Sequence, residues 1–567
     1  MDTEIIKKIT FLGVIVILGS LFYYQIIRGD YYLERSKANY IRVIPEDAVR
    51  GSIMDTNKRI IACDVPAFGI AVVPYQMRKD RRAVFSRVSV LLNIPEERIE
   101  DNYKKNIKSP FSPVEIATHI NKSAALHIKD ELGDKIIIKS IPYRFYPFSY
   151  EMSHILGYVK DAAAFYSELK TYGYTPYERV GFLGIEQYYD SYLKGKEGGK
   201  LIEVDSGGRV VGFLGESIPQ RGKDITLTID SRIQETAYKA LSGYTGAIIL
   251  MNPYNGEIIA LCSRPSYNIN SIVKGTGVDS AFSDSKKPFI NRVVQAAYPF
   301  GSVFKPILAA AALQEKVISR DTTFNCKGYF MLGNYKFSCW DAHGVQNVTE
   351  AITHSCNVFF YNVGLRLGIE KISAWARKFG LGKRTGIDLP YEKRGIVPDA
   401  GWKKKHTRRQ WFSGDTVNIS IGQGYLRGTP IQAVVAISAF VNGGYIVRPH
   451  ILKEIGQKET VFINKNYLNI SPYNMNIVRK GLRGVVRSAS GTAHLLDSLG
   501  LDIAGKTGTA QNAGLPHGWF VGFFPYDNPK YSICVFLENA GSSHKALEVV
   551  YKFLTQLQKE GLIDRRQ

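Results

Sequence analysis

A serine and a lysine one helical turn apart, Ser302-Val303-Phe304-Lys305, can act as nucleophile and base. The tetrad alone is not selective, because Ser-x-x-Lys also begins at Ser167, Ser191, Ser271, Ser283 and Ser542. Ser302 is preceded by glycine and followed by the apolar run PILAAAAL. Pro306 suits a first helical turn, where its missing N–H costs nothing, so Ser302 is expected at a helix N-terminus with Lys305 on the same side. Backbone N–H groups there stabilise nearby negative charge. A lysine amine of ordinary pKa, about 10.4, stays protonated at neutral pH and cannot take the serine proton. A second cation close by would lower it toward about 7 to 8. Lys506-Thr507-Gly508, found once in the chain, supplies that cation on a strand-like run, DIAGKTGTA, and Gly508 leaves room for a substrate backbone. Between the two lies Ser355-Cys356-Asn357, whose alternate residues Ser355 and Asn357 can both face a cleft.

These fragments need a frame that returns to them from distant parts of the chain. TGAIILM and EIIALCS, separated by NPYNG, read as a hairpin, and DIAGKTGTAQ, HGWFVGFFP and YSICVFLEN as three further strands near the C-terminus. Asp230 is a candidate N-cap for the helix SRIQETAYKALS, and HKALEVVYKFLTQLQKEGL has helical period. Strands at both ends with helices between them imply an α+β sheet, with the first and last helices covering one face. A change of composition in GESIPQRGKDITLTID places a domain boundary near residue 220. Residues 28–220 read as an elongated, mostly β or irregular pedestal, with RGSIMDTNKRIIA forming a hairpin, and 221–560 as the domain carrying the chemistry.

At 567 residues and 45% hydrophobic content the chain can bury more than one core. Ile9 to Ile27 carries no charge over 19 positions, about 28 Å of helix, and reads as one membrane-spanning helix behind a cytoplasmic tail, residues 1–8. A cleaved signal peptide is the competing reading; the stretch is long for one and no small-x-small site follows. Lys7 and Lys8 precede the span while Arg28, Arg35 and Lys37 follow it, so charge does not settle orientation. The 73 basic against 51 acidic residues give +22, which favours anionic surroundings. An anchored chain without a basic stripe argues against nucleic acid. The local run WKKKHTRRQW, 402–411, is read as a solvated loop ahead of a polyanion site.

Ser-x-x-Lys, then Ser-x-Asn, then Lys-Thr-Gly is the motif set of penicillin-binding proteins and serine β-lactamases. NRVVQAAYPFGSVFKP, GDTVNISIGQGYLRGTPIQ, GKTGTAQ and HGWFVGFFP, with RFYPFSYEMSHILGYV and GFLGIEQYYDSYLKG in the N-terminal half, resemble class B penicillin-binding proteins of the cell-elongation type. Phe300 stands where that family has proline, a departure beside the serine that bears on the shape of the groove. The resemblance implies a transpeptidase domain built on a five-stranded antiparallel sheet, behind a dimerisation-type pedestal. It implies a D,D-transpeptidase that crosslinks peptidoglycan stem peptides and needs no cofactor for acyl transfer. Ser302 would attack the D-Ala-D-Ala carbonyl with Lys305 as base. Ser355 and Lys506 would carry the proton to the leaving amine, Asn357 would hold the substrate amide, and Thr507 and Thr509 would receive the terminal carboxylate beside Gly508. β-Lactams would acylate the same serine. The partners implied are an amine acceptor strand, a SEDS-type membrane polymerase and other elongation proteins, with the catalytic domain outside the cytoplasmic membrane. A D,D-carboxypeptidase or β-lactamase, and a non-catalytic penicillin sensor or scaffold, are the rival functions.

Cys326, Cys339, His343 and Cys356 fall within 31 residues around the Ser-x-Asn motif. Cys339 and His343, four apart, can serve one metal, and a structural zinc would brace the loop carrying Ser355 and Asn357. A disulfide and plain buried thiols are the alternatives. Some relatives of the elongation type have a metal-bearing pattern in this segment. Asp341 is a spare oxygen ligand, and Cys63, Cys262 and Cys534 are expected in the core. His354, His517 and Trp519 are read as packing residues first.

Overall fold

The protein is described by a computed structural model covering residues 3–107, 110, 113–162, 166–172, 174, 178–204, 210–460 and 465–563. Its contacts fall into two units. The first takes in the chain up to Gly51, Asp64–Arg144 and Lys194–Gly222; the second takes in Ser52–Cys63, Phe145–Leu193 and the chain from Lys223.

In the first unit, the helix Thr3–Phe22 continues into a π-helical turn, Tyr23–Ile27, and buries none of its side chains in the protein. Among the described residues it is the one helix long and apolar enough to cross a membrane. Strands Ile41–Glu46, Gly198–Val204 and Val210–Ser217 form a three-stranded antiparallel sheet. A separate small core gathers Ile70, Val72, Val84, Phe85, Val88, Ile116 and Ile128. The sequence reading expects strands and irregular chain here, yet the helices Arg81–Leu92, Glu96–Asn106 and Lys122–Leu132 contribute to it. Each buries a short stripe, such as Val84, Phe85 and Val88, between charged positions, which leaves the helical period faint in the sequence.

The second unit is built on a five-stranded antiparallel sheet in the order Ile258–Arg264, Gly246–Met251, Tyr531–Leu537, His517–Phe524, Ala504–Ala510. Strands from both ends of the domain thus pair directly, with Ile248 opposite Cys262 on one side and Val535 on the other. Every residue of Gly246–Met251 is buried, as its apolar run requires of a strand covered on both faces. The helices Ser231–Ala240 and Ser543–Lys559 pack on the sheet and on each other. Asp230 caps the first of them, accepting from Arg232 N at 2.9 Å.

The two units do not divide the chain at a single point near residue 220, because Ser52–Cys63 and Phe145–Leu193 pack with the chain that follows Lys223. The turn Asp55-Thr56-Asn57-Lys58 belongs to the second unit, where Asp55 Oδ2 accepts from Ser231 Oγ (2.7 Å) and Asn57 Nδ2 donates to Asp230 Oδ2 (2.9 Å). Tyr189 OH donates to Asp388 Oδ2 at 2.9 Å, and the same buried carboxylate accepts the N–H groups of Ile451 and Leu452. Met152, Ile155, Leu156, Ile185 and Leu193 join the large core of this unit. The turn that carries Ser302 rests on Trp519, which is fully buried, packs against Phe300 and Phe536 with tilted rings and donates from Nε1 to Pro299 O at 3.1 Å. Trp519→Ala should cost about 3 to 5 kcal/mol and lower the thermal midpoint of the full chain, with Trp519→Phe recovering most of the loss; an unchanged midpoint for the alanine variant would contradict this packing.

Candidate active site

Residues Gly301–Phe304 form a 3-10 turn leading into the helix Lys305–Gln314, with Pro306 in its first turn. Three glycines let this turn approach its neighbours. Gly301 has φ +57°, and a Cβ there would lie 2.9 Å from Thr509 O. A Cβ on Gly422 would lie 2.1 Å from Gly301 O, and Gly301 N donates to Gly422 O at 3.0 Å. A Cβ on Gly508 would lie 3.0 Å from Phe300 O and 3.1 Å from Val303 Cγ1. The edge strand Ala504–Ala510 is therefore held backbone to backbone against the serine turn, a distance that side chains would not permit.

Lys305 is completely buried and its Nζ donates to Ser355 O (2.7 Å), Ser355 Oγ (3.2 Å) and Asn357 Oδ1 (2.7 Å). Ser355 sits at φ +55°, a left-handed conformation uncommon for a residue with a side chain. That turn lets Ser355 and Asn357 meet one amine while Cys356 between them points into the core, buried among the other cysteines. Ser302 itself is half-buried at the surface of this arrangement.

Burial brings the Lys305 amine down to about 8. The sequence reading assigned that effect to a second cation, whereas loss of water is the cause found here, opposed in part by the nearby cysteines. Lys506, also fully buried, is lowered well below the ordinary lysine value, first by burial and then by repulsion from Lys305. Its Nζ donates to Thr507 O at 3.1 Å.

Alternation along the strand separates the threonines from Lys506 and Gly508. Thr507 is buried with its hydroxyl 2.7 Å from Thr492 Oγ1. Thr509 is exposed, accepts from Ser543 N at 3.1 Å and donates to Ser543 Oγ at 3.2 Å. Gln423 Nε2 reaches Thr509 O at 3.5 Å. Thr492, Gln423 and Ser543 have no motif of their own and were not picked out by spacing; they become visible only once the fold brings them to the strand.

Phe300 is turned inward, its ring against Trp519 and the backbone of Gly428, so the departure from proline is absorbed beneath the turn. His517 is buried, accepts from Asn539 N at 3.0 Å and packs on Tyr298 and Phe536. His354 lies between Gln346 Oε1 (2.7 Å) and Ser490 Oγ (2.9 Å). All three are supports of the site.

The ligand atoms of Cys326, Cys339, His343 and Cys356 lie within 4.8 Å of one another. The sulfurs of Cys326 and Cys339 are 3.6 and 3.5 Å from His343 Nδ1. Bond lengths for zinc give a tetrahedral sulfur-to-nitrogen edge of about 3.6 Å, which these two separations match, so the four residues could hold such an ion. Asn357 N donates to Cys339 Sγ at 3.2 Å, and the hydrogen bond with Cys356 holds the Cys339 thiol well below its usual value. Cys326, Cys339 and Cys356 form no disulfide; Cys262 and Cys534 are core residues as expected, while Cys63 is only half-buried. The Asp341 carboxylate accepts from Ala342 N and lies outside the cluster.

Comparison with known proteins divides the chain along the sequence, unlike the packing. The family model described as "Penicillin binding protein transpeptidase domain" matches residues 246–555, and that described as "Penicillin-binding Protein dimerisation domain" matches 45–227. The chain is 32% identical to the peptidoglycan D,D-transpeptidase MrdA of Haemophilus influenzae, covering 94% of this chain and 88% of that protein. It resembles a solved complex of penicillin-binding protein PBP2 with MreC from Helicobacter pylori, with TM-score 0.82, 30% identity and coverage of 93% and 100%. A structure titled for the coordination of polymerization and crosslinking by a peptidoglycan synthase complex also matches, with TM-score 0.73, 26% identity and 99% of both chains covered.

Because the glycine contacts set the position of the serine, Gly422→Ala should slow acylation by benzylpenicillin about 100-fold while the chain stays folded; an unaltered acylation rate would show that the close approach has no bearing on the chemistry.

Proposed function

The chain belongs to the penicillin-binding protein transpeptidase family, and from that premise we propose how its residues perform peptidoglycan D,D-transpeptidation. The observation that carries the reading is the buried Lys305 amine, bonded to both members of the Ser-x-Asn motif and lowered to about 8. In its neutral form Lys305 accepts the Ser302 hydroxyl proton as Oγ attacks the carbonyl between the two terminal D-alanines of a stem peptide. The carbon–nitrogen bond breaks, the proton returns through Ser355 to the leaving amine, and D-alanine departs. Ser302 is left as an ester. An amine of a second strand then attacks that ester, gives its proton back toward Lys305, and takes the acyl group, which forms the crosslink and restores the serine. β-Lactams acylate the same hydroxyl.

Asn357 holds the substrate amide from the Ser355 side. Of the two threonines, Thr509 meets the terminal carboxylate, a role supported by its exposure and its bond to Ser543, while Thr507 and Thr492 steady the strand from behind. Lys506, lowered by burial and by repulsion from Lys305, shares with Ser355 the transfer of the proton to the leaving amine. The N–H groups of Ser302 and Thr509 form the oxyanion hole, where one donor typically contributes about 3 to 4 kcal/mol.

The apolar helix Thr3–Ile27 anchors the chain in the cytoplasmic membrane, with the second unit on the outer side where peptidoglycan lies. A relative is recorded with MreC and another in a peptidoglycan synthase complex, which supports a membrane polymerase of the SEDS type and elongation proteins as partners. The Cys326, Cys339, His343 and Cys356 cluster holds a structural zinc that supplies bracing and takes no part in acyl transfer.

Intact mass after benzylpenicillin should show one adduct for the parent chain and none for Ser302→Ala; adducts in both would move the nucleophile elsewhere. With a D-Ala-D-Ala donor and an added amine acceptor the parent should give the amide product, whereas free acid alone would indicate a hydrolase. The full chain should carry about one zinc, and Cys339→Ser should lose it with a thermal midpoint lower by about 3 °C or more; a metal-free parent of unchanged stability would remove the zinc assignment.

A further inference from the structure

The basic run 402–411 is a built platform. Its helix Ala400–Thr407 is capped by Asp399, which accepts from Trp402 N at 2.7 Å and pairs with Arg377, and is stopped by Arg408 at φ +58°. Lys403 is the buried cation of the run, paired with Asp415 beneath the rings of Trp411, Phe412 and Tyr425. Trp402 stacks on His406 at 4.6 Å. With both nearby carboxylates engaged, Lys404, Lys405, Arg408 and Arg409 are exposed and have no acidic partner among the described residues. Phe412 stands among them with 61% of its surface in water.

The platform borders the catalytic cleft on two routes. A Cβ at Gly414 would be 3.7 Å from Phe337, whose neighbour Ser338 accepts through its carbonyl from Asn357 Nδ2 (3.4 Å) and Tyr361 OH (3.1 Å). The helix Ser413–Ser420 that follows leads directly to Gly422 and Gln423, which touch Gly301 and Thr509. Four exposed cations and exposed aromatic rings thus lie on a segment joined to both walls of the site, open to a ligand that is anionic and has apolar faces.

We propose that this platform binds the free carboxylates of peptidoglycan stem peptides outside the reacting D-Ala-D-Ala end, with Phe412 and Tyr425 against the strand's apolar faces. The inference rests on the transpeptidase reading and adds a strand-binding surface to it. Lys404, Lys405, Arg408 and Arg409 act in binding and take no part in the bond changes at Ser302.

The test uses the full chain in detergent with Ser302→Ala, so that strands bind without reacting, and soluble uncrosslinked peptidoglycan strands as the probe. Changing Lys404, Lys405, Arg408 and Arg409 together to glutamine should weaken binding of free-carboxylate strands about tenfold. Strands whose carboxylates are amidated should bind both chains alike. Equal binding of free-carboxylate strands by the two chains overturns the proposal, as does an equal loss for amidated strands. With Ser302 present, benzylpenicillin should acylate both versions at the same rate; failure of the parent to acylate would instead refute the transpeptidase reading itself.

Discussion

A buried amine with three oxygen acceptors is the constraint from which this site is built. Lys305 comes from a helix, while the oxygens at 2.7, 3.2 and 2.7 Å come from a loop 50 to 52 residues further on. Taking an ammonium out of water is costly unless each of its hydrogens finds an acceptor. The Ser355 turn, with its left-handed backbone, is therefore as necessary to the lysine as the lysine is to the turn. The same burial that demands these partners also brings the amine to about 8, within reach of the neutral form at physiological pH.

The rest of the second unit holds this arrangement against the strand Ala504–Ala510. That strand is the sheet edge, and an edge offers open backbone groups to whatever lies beside it. Here the serine turn lies close to it because Gly301, Gly422 and Gly508 carry no side chain. Trp519, one strand in, supports the turn from below, and Thr492 and Ser543 fix the threonines from the other face. Two buried lysines so near each other repel, and the repulsion lowers Lys506 further.

Motif order and apolar runs made much of this legible in the sequence. The five strands, the Asp230 cap and the two flanking helices lie where hydrophobic pattern and turn residues place them, because each is a local feature. The meeting of Lys305 with Ser355 and Asn357 is likewise what the order of the Ser-x-x-Lys and Ser-x-Asn fragments leads one to expect. Less visible was anything that depends on packing between distant segments. The turn at Asp55 and the stretch around Tyr189 read as pedestal yet fold into the second unit, through contacts to Ser231 and Asp388. The sequence points to a neighbouring charge as the cause of the low Lys305 pKa, since charges are visible in it directly and burial only through the completed fold. Gly422 lies within a run that resembles the family, but the backbone it must touch is set only by the completed fold.

The proposed chemistry depends on the protonation state of one amine, and that state can be observed directly. Carbon-13 NMR of the full chain with labelled lysine ε-carbons, the Lys305 signal assigned by its absence in Lys305→Arg, gives the titration midpoint. A midpoint near about 8 is the predicted result. A midpoint at the ordinary value, about 10.4, would mean that Lys305 stays charged at neutral pH and cannot be the base.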